Sequence, residues 1–167
     1  MDFLGLRNLT VIDDTIKIAK SMGIDIDIHN IDYNVPEVYK MISRGDTDGV
    51  FQLESGGMRS FMKRLEPENI EDITAGIALY RPGPMDFIPA YIKNKSNPKN
   101  ITYKHPLLKD ILEMTYGCIV YQEQVMQIVR TLAGFSMGRA DEVRRAMSKK
   151  KAKEMQRARQ SFIYGEE

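Results

Sequence analysis

Two prolines and a glycine within Arg81-Pro82-Gly83-Pro84 leave a helix no way to continue, so any helix approaching this passage must end before Arg81. Around that rigid loop the chain reads as a succession of short helical stripes. Leu9, Ile12, Ile16 and Ala19 recur at helical spacing between Leu9 and Met22, and Gly23 is placed to end the helix. Asn34-Val35-Pro36-Glu37 reads as a capping signal for a helix running to Gly45, and Ser55 to Leu65 forms the next. Pro67 opens the helix that the Pro-Gly-Pro loop stops. Residues 86–95 are expected to form a short helix, 96–100 a polar turn, and Pro106 to Glu113 a helix with proline in its first turn. Val125, Ile128, Val129 and Leu132 then keep helical spacing from Gln122 until Gly134, with Ser136 placed to cap the following helix. Two stretches read as extended: Ile24, Ile26 and Ile28 alternate with Asp25 and Asp27, and residues 118–121 suit a brief strand. The expected fold class is mainly α, an irregular multi-helix domain with a few short strands.

A chain of 167 residues, 43% hydrophobic and 28% charged, can bury a core, and it holds no apolar run of the eighteen or so residues that a membrane span requires. With no basic start leading into an apolar segment and cleavage site, a cytoplasmic location is expected, without membrane partners. Cys118 is the only cysteine, which excludes an internal disulfide; within Cys118-Ile119-Val120-Tyr121 it reads as a buried, inert thiol. His29 and His105 have no second ligand at metal spacing, which argues against zinc. The eleven methionines read mostly as core filler, a Met-rich interaction surface being the other reading.

The net charge of +1 conceals an asymmetry. Residues 139–159 hold nine Lys or Arg against three Asp or Glu, so the rest of the chain is net acidic. In Arg139 to Ser148, Ala140, Val143 and Met147 mark a buried side, while Arg144 and Arg145 project elsewhere. If the helix continues past Ser148, Arg145, Lys149 and Lys153 align at four-residue steps as a cationic ridge. Guanidinium groups grip phosphate with a two-bond fork and ammonium groups add undirected charge, so the ridge suits a polyphosphate or a nucleic-acid backbone. A solvated surface helix is the plainer reading of such a run, but lysines packed this densely repel one another and gain from a counter-anion. Arg81 is a cation on restrained backbone, suited to presenting its charge to a phosphate, although an exposed residue at a helix stop is the plainer reading of this loop alone. Gly56-Gly57 beside a helix start could bring amides near an anion, although no Gly-Lys-Ser/Thr follows as in a phosphate loop. Asp2 is a single carboxylate, too few for a two-metal site.

Five segments, in order, carry a resemblance to a known family: Asp2-Phe3-Leu4-Gly5-Leu6-Arg7, Gly49-Val50-Phe51-Gln52-Leu53-Glu54-Ser55, Arg81-Pro82-Gly83-Pro84, Tyr121-Gln122-Glu123-Gln124-Val125-Met126 and Arg144-Arg145-Ala146-Met147. Over essentially its whole length the chain resembles an internal piece of the C-family replicative DNA polymerases of bacteria. The resemblance implies that residues 1–8 end a palm segment and residues 9–167 form the first portion of a fingers domain. It implies that Asp2 is the last of three palm aspartates binding catalytic Mg2+, an ion this piece alone is not expected to hold. It also implies that Arg144 and Arg145 contact the triphosphate of an incoming dNTP. Arg81 is carried over less directly as a nucleotide contact, and Lys149, Lys150, Lys151 and Lys153 as contacts to the backbone of template-primer DNA. In the parent enzyme, attack by the primer 3′ hydroxyl on the α-phosphate would proceed with two magnesium ions. The sliding clamp and other replisome subunits would be its partners. The isolated chain, with one aspartate of three, is expected not to polymerise. The alternative is a non-catalytic helical nucleic-acid-binding module, and a ridge made of Lys and Arg favours backbone over base readout in either case.

Overall fold

The computed structural model describes residues 5–165, in which nine α-helices and several single 3-10 turns carry the chain without any strand. The expected short strands are therefore corrected: residues 24–27 form no regular element, and 118–121 form an irregular approach to a helix. The reason is local. The Val120 and Tyr121 N–H groups, which a partner strand would have had to satisfy, donate to the side-chain oxygen of Gln124 at 2.8 and 3.0 Å.

By internal contacts the chain divides into two compact units, one ending at Asp72 and one starting at Ile73. The first contains α1 (Arg7–Ser21), α2 (Pro36–Arg44), α3 (Gly56–Leu65) and the first turn of α4 (Ile70–Leu79). Tyr39 and Ile42 of α2 are buried with Met58, Phe61, Met62 and Leu65 of α3. Phe61 and Met62 have no exposed surface, and each such burial stabilises by about 1.5–3 kcal/mol. Between these helices Thr47 is buried, its hydroxyl donating to the Leu53 carbonyl at 2.7 Å. Ser55 lies just before α3 and caps it, its hydroxyl accepting from the Met58 N–H. Two starts differ from expectation. The residue capping α2 is Val35, without a side-chain bond, and α4 begins three residues after Pro67, where the Asn69 side chain accepts from the Asp72 N–H at 2.8 Å. Helix α1 starts two residues before the expected Leu9 and ends one before Met22, and none of its residues is buried; Leu9 keeps 63% of its surface. Periodicity announces that a face can be covered, and no described residue covers this one.

The second unit continues with α5 (Ile88–Ser96), α6 (Lys109–Leu112), α7 (Gln122–Ala133), α8 (Met137–Ser148) and α9 (Ala152–Tyr164). Its arrangement turns on Gln124, 3% exposed, whose amide meets four partners. The nitrogen donates to the Ile111 carbonyl at 3.1 Å and the Thr115 hydroxyl oxygen at 2.7 Å, while the oxygen accepts the Val120 and Tyr121 N–H groups. Thr115 in turn donates to the Cys118 carbonyl at 2.7 Å. All the hydrogen-bonding capacity of the amide is used, and α6, the loop and the start of α7 are joined through it. Cys118 is buried as expected, and burial pushes its thiol pKa up, which keeps it protonated. Beyond α7, Val129, Phe135, Ala140 and Val143 form a cluster against which Met126, Ala133 and Ala158 pack, so α7, α8 and α9 share one apolar centre. The Phe135 and Phe162 rings meet edge to face, 6.4 Å apart.

Helix ends in both units follow one scheme. After α1 the Ile24 N–H reaches back to the Ala19 carbonyl, and after α2 the Asp46 N–H reaches Met41, with Gly23 and Gly45 in the left-handed region between. The same six-residue bond closes α8: the Lys151 N–H donates to the Ala146 carbonyl at 2.9 Å and the Lys150 N–H to Met147 at 3.1 Å. Here the left-handed position, φ 51°, is held by Lys150 rather than glycine. The methionines also depart from expectation. Among the ten described methionines, Met58 and Met62 are buried and Met126 packs against a core cluster, but Met22, Met85, Met114, Met137 and Met147 are exposed, so core filling does not describe most of them.

Two outcomes follow from these contacts. Gln124→Ala strands several buried polar groups and should destabilise the second unit by roughly 3 kcal/mol, lowering its thermal midpoint by about 12–24 °C in calorimetry. Lys150→Gly relieves left-handed strain and should raise stability by about 0.5–1 kcal/mol in urea unfolding, the larger conformational entropy of unfolded glycine offsetting part of the gain.

Candidate phosphate-binding groove

The basic segment is divided by the turn at Lys149 to Lys151, so the anticipated continuous ridge does not form. Lys149 follows the last residue of α8, Lys150 sits at the left-handed corner, Lys151 precedes α9, and Lys153 lies in its first turn. All four are exposed. The chain reverses at this corner and α9 packs back on α7 and α8 through Ala158, so cations from two helices face a shared space.

That space is a groove of about 570 Å³ between α8 and α9. Its positive lining comes from Arg139 and Arg145 of α8, Lys149 and Lys151 of the turn, and Arg157 of α9. Glu142 and Glu154 are its only carboxylates among the described residues. Several cations are partly engaged. Lys151 pairs with Glu154 at 2.7 Å, and the Arg139 guanidinium lies over the Phe135 ring, 4.6 Å from its centre. Lys149 and Arg157 are exposed and have no ion-pair partner among the described residues.

The adjacent arginines are not equivalent. Arg144 donates through Nε and Nη2 to Oδ1 of Asp141 at 2.8 and 2.6 Å, and through Nη1 to the Gln122 side-chain oxygen at 2.9 Å. Its side chain keeps 30% exposure, and it does not line the groove. Arg145 donates one bond to Oδ2 of Asp141 at 2.5 Å and keeps 58% exposure with its remaining donors. One carboxylate thus sits between both guanidinium groups, at i+3 and i+4 spacing along α8. The Arg144 hydrogen bonds, aided by the charges of both arginines, hold the Asp141 carboxyl below its ordinary range. A lowered carboxylate pKa means that these contacts are fully present at neutral pH and are lost only as acid drives pH down through the lowered value.

The other expected residues lie elsewhere. Arg81 is exposed just after α4; the loop closes through its carbonyl, which accepts the Met85 N–H at 3.1 Å, but Arg81 is not among the residues of the groove. Gly56 and Gly57 open α3, where the Ser55 hydroxyl already serves one N–H of the first turn. Asp2 lies outside the described residues, which contain no group of three His, Cys, Asp or Glu able to hold a metal ion. The described residues therefore do not fit catalytic magnesium. Sequence reasoning missed Arg139, Asp141 and Arg157. Arg157 was legible only as one more charge on a basic helix, because its approach to Arg145 depends on the turn at Lys150.

Comparison with known proteins bears on this arrangement. The family profile described as the bacterial DNA polymerase III alpha subunit finger domain matches residues 8–167. The DNA polymerase III subunit alpha of Staphylococcus aureus is 52% identical over 166 residues, and that of Staphylococcus epidermidis is 53% identical over 166 residues. In both cases the match covers 99% of this chain but 16% of the relative, so the chain spans about one sixth of their length. The chain belongs to the family of bacterial DNA polymerase III alpha subunit finger domains.

Proposed function

We propose that this chain is the part of a bacterial replicative DNA polymerase that receives phosphate, from the incoming dNTP and from the template-primer backbone. The α8–α9 groove carries the reading: two helices converge to place five cations against two carboxylates. Such a surface attracts polyanions and grips oxygens without reading bases. The basic end of α8, with the Arg144-Arg145 pair, serves the triphosphate. Lys149, Lys150, Lys151 and Lys153, all exposed around the corner, serve the strand backbone. Arg81 is a separate contact on its restrained loop. Residues 1–8 end a palm segment in this reading, with Asp2 as a metal ligand, and the clamp and other replisome subunits are partners of the longer protein.

The chemistry available to the described residues is electrostatic. Cations fixed before the substrate arrives neutralise charge on a phosphate tail at little reorganisation cost, and a contact of this kind is worth roughly 3 kcal/mol in a transition state. No bond-making step is assigned to these residues.

The reading is tested by titrating salt against binding of a fluorescent oligothymidylate to the 167-residue chain. Four lysine contacts on a single strand should give a log-log slope of about −3, since each contributes about −0.7. A flat response would overturn the proposal in favour of an apolar protein-binding role. The same chain, mixed with primed template, dNTPs and Mg2+, should yield no template-dependent extension on a sequencing gel.

A further inference from the structure

Asp141 is the carboxylate that the two neighbouring arginines share. Its Oδ1 accepts the Nε and Nη2 groups of Arg144 at 2.8 and 2.6 Å, and its Oδ2 accepts Nη2 of Arg145 at 2.5 Å. Arg144 is also fixed from another helix: Nη1 donates at 2.9 Å to Gln122 at the start of α7, which the buried Gln124 amide holds in turn. Of the five N–H groups of a guanidinium, Arg144 commits three and Arg145 one, so both keep donors for a ligand. Ion pairs at helical spacing on a surface are common and individually weak. This one differs, because the carboxylate is only 29% exposed and reaches both guanidinium groups at once. Without it, among the described residues, Arg144 keeps only Gln122 and Arg145 has no acceptor, and two adjacent like charges repel each other.

Resting on the phosphate-binding reading above, we infer that Asp141 is a positioning residue for the Arg144-Arg145 pair, holding the two guanidinium groups side by side before a triphosphate arrives. The arginines touch the anion, and Asp141 acts through them. Two effects of the carboxylate oppose each other. Its charge cancels part of the attraction that the pair exerts on a phosphate, which in water is worth about threefold in affinity. Its bonds also remove rotamer freedom from two long side chains, freedom that binding would otherwise have to remove. Ordering two such side chains is worth roughly five- to a hundredfold, so ordering prevails over repulsion.

The sign of one change separates these roles. In isothermal titration of the 167-residue chain with dTTP, at a temperature where every variant is folded, Asp141→Asn should bind about fivefold more weakly although it has lost a negative charge. Asp141→Glu keeps the charge and can still bridge to i+3 and i+4, so it should stay within about twofold of the unaltered chain. Tighter binding by Asp141→Asn shows a carboxylate that merely opposes the anion, and unchanged binding shows one that serves the helix alone. Either result overturns the inference and leaves the phosphate-binding reading standing. Failure of the glutamate variant to recover binding assigns the loss to the fold and overturns the inference as well. Should the variants not fold, nuclear magnetic resonance of the unaltered chain decides: before ligand is added, the Arg144 and Arg145 Nε–H groups should have order parameters above about 0.6, and lower values overturn the inference. Absence of dTTP binding by the unaltered chain overturns the phosphate-binding reading and the inference together.

Discussion

A single buried amide governs how the second unit can be arranged. Gln124 has two N–H groups and an oxygen able to accept twice, and α6, the Thr115 turn and the approach to α7 supply partners for all of them. Inside a protein, an unsatisfied amide is costly and a satisfied one is directional, so this residue specifies one geometry where aliphatic packing would accept several. The start of α7 inherits that geometry. Gln122 lies on the same turn and passes it to Arg144, Asp141 and hence Arg145, so the outward cation is aligned through a chain of polar contacts rooted in the interior.

Helix reversal does for charge what the amide does for direction. On a straight helix, cations four residues apart repel along one exposed line. Folding the segment back at Lys150 separates them onto two walls and opens a space where their fields overlap. The overlap favours a multiply charged ligand over a single anion, since more than one wall can contribute at once. The Phe135 and Phe162 contact and the small side chains of Ala140 and Ala158 keep α8 and α9 close enough for this to matter.

Much of the helix map was open to sequence reading because its punctuation is chemical. Gly23 and Gly45 stand at the left-handed stops, Ser55 and Ser136 cap the following helices, and the Pro-Gly-Pro loop ends α4 where its missing donors require. The break after Ser148 uses the same backbone scheme but carries lysine at the strained position, so no residue type announced it. The expected four-step ridge failed for that reason. Residues 118–121 failed differently: their apolar, β-branched character suits a strand, but a strand also needs a neighbour, and a side chain four positions on took that role. At the groove, composition disclosed the excess of positive charge and the Arg144-Arg145 pair. It could not disclose that Asp141 would claim one arginine almost wholly, because that distinction lies in which edge of each guanidinium meets the carboxylate.

The distribution of methionine has a chemical consequence of its own. Met22, Met114 and Met137 expose more than half of their surface, whereas Met58 and Met62 at the centre of the first unit expose almost none. Mild peroxide would convert the outer thioethers to polar sulfoxides while sparing the two on which the α2 and α3 packing rests. The exterior thus has a store of expendable sulfur that reacts before oxidant reaches the interior.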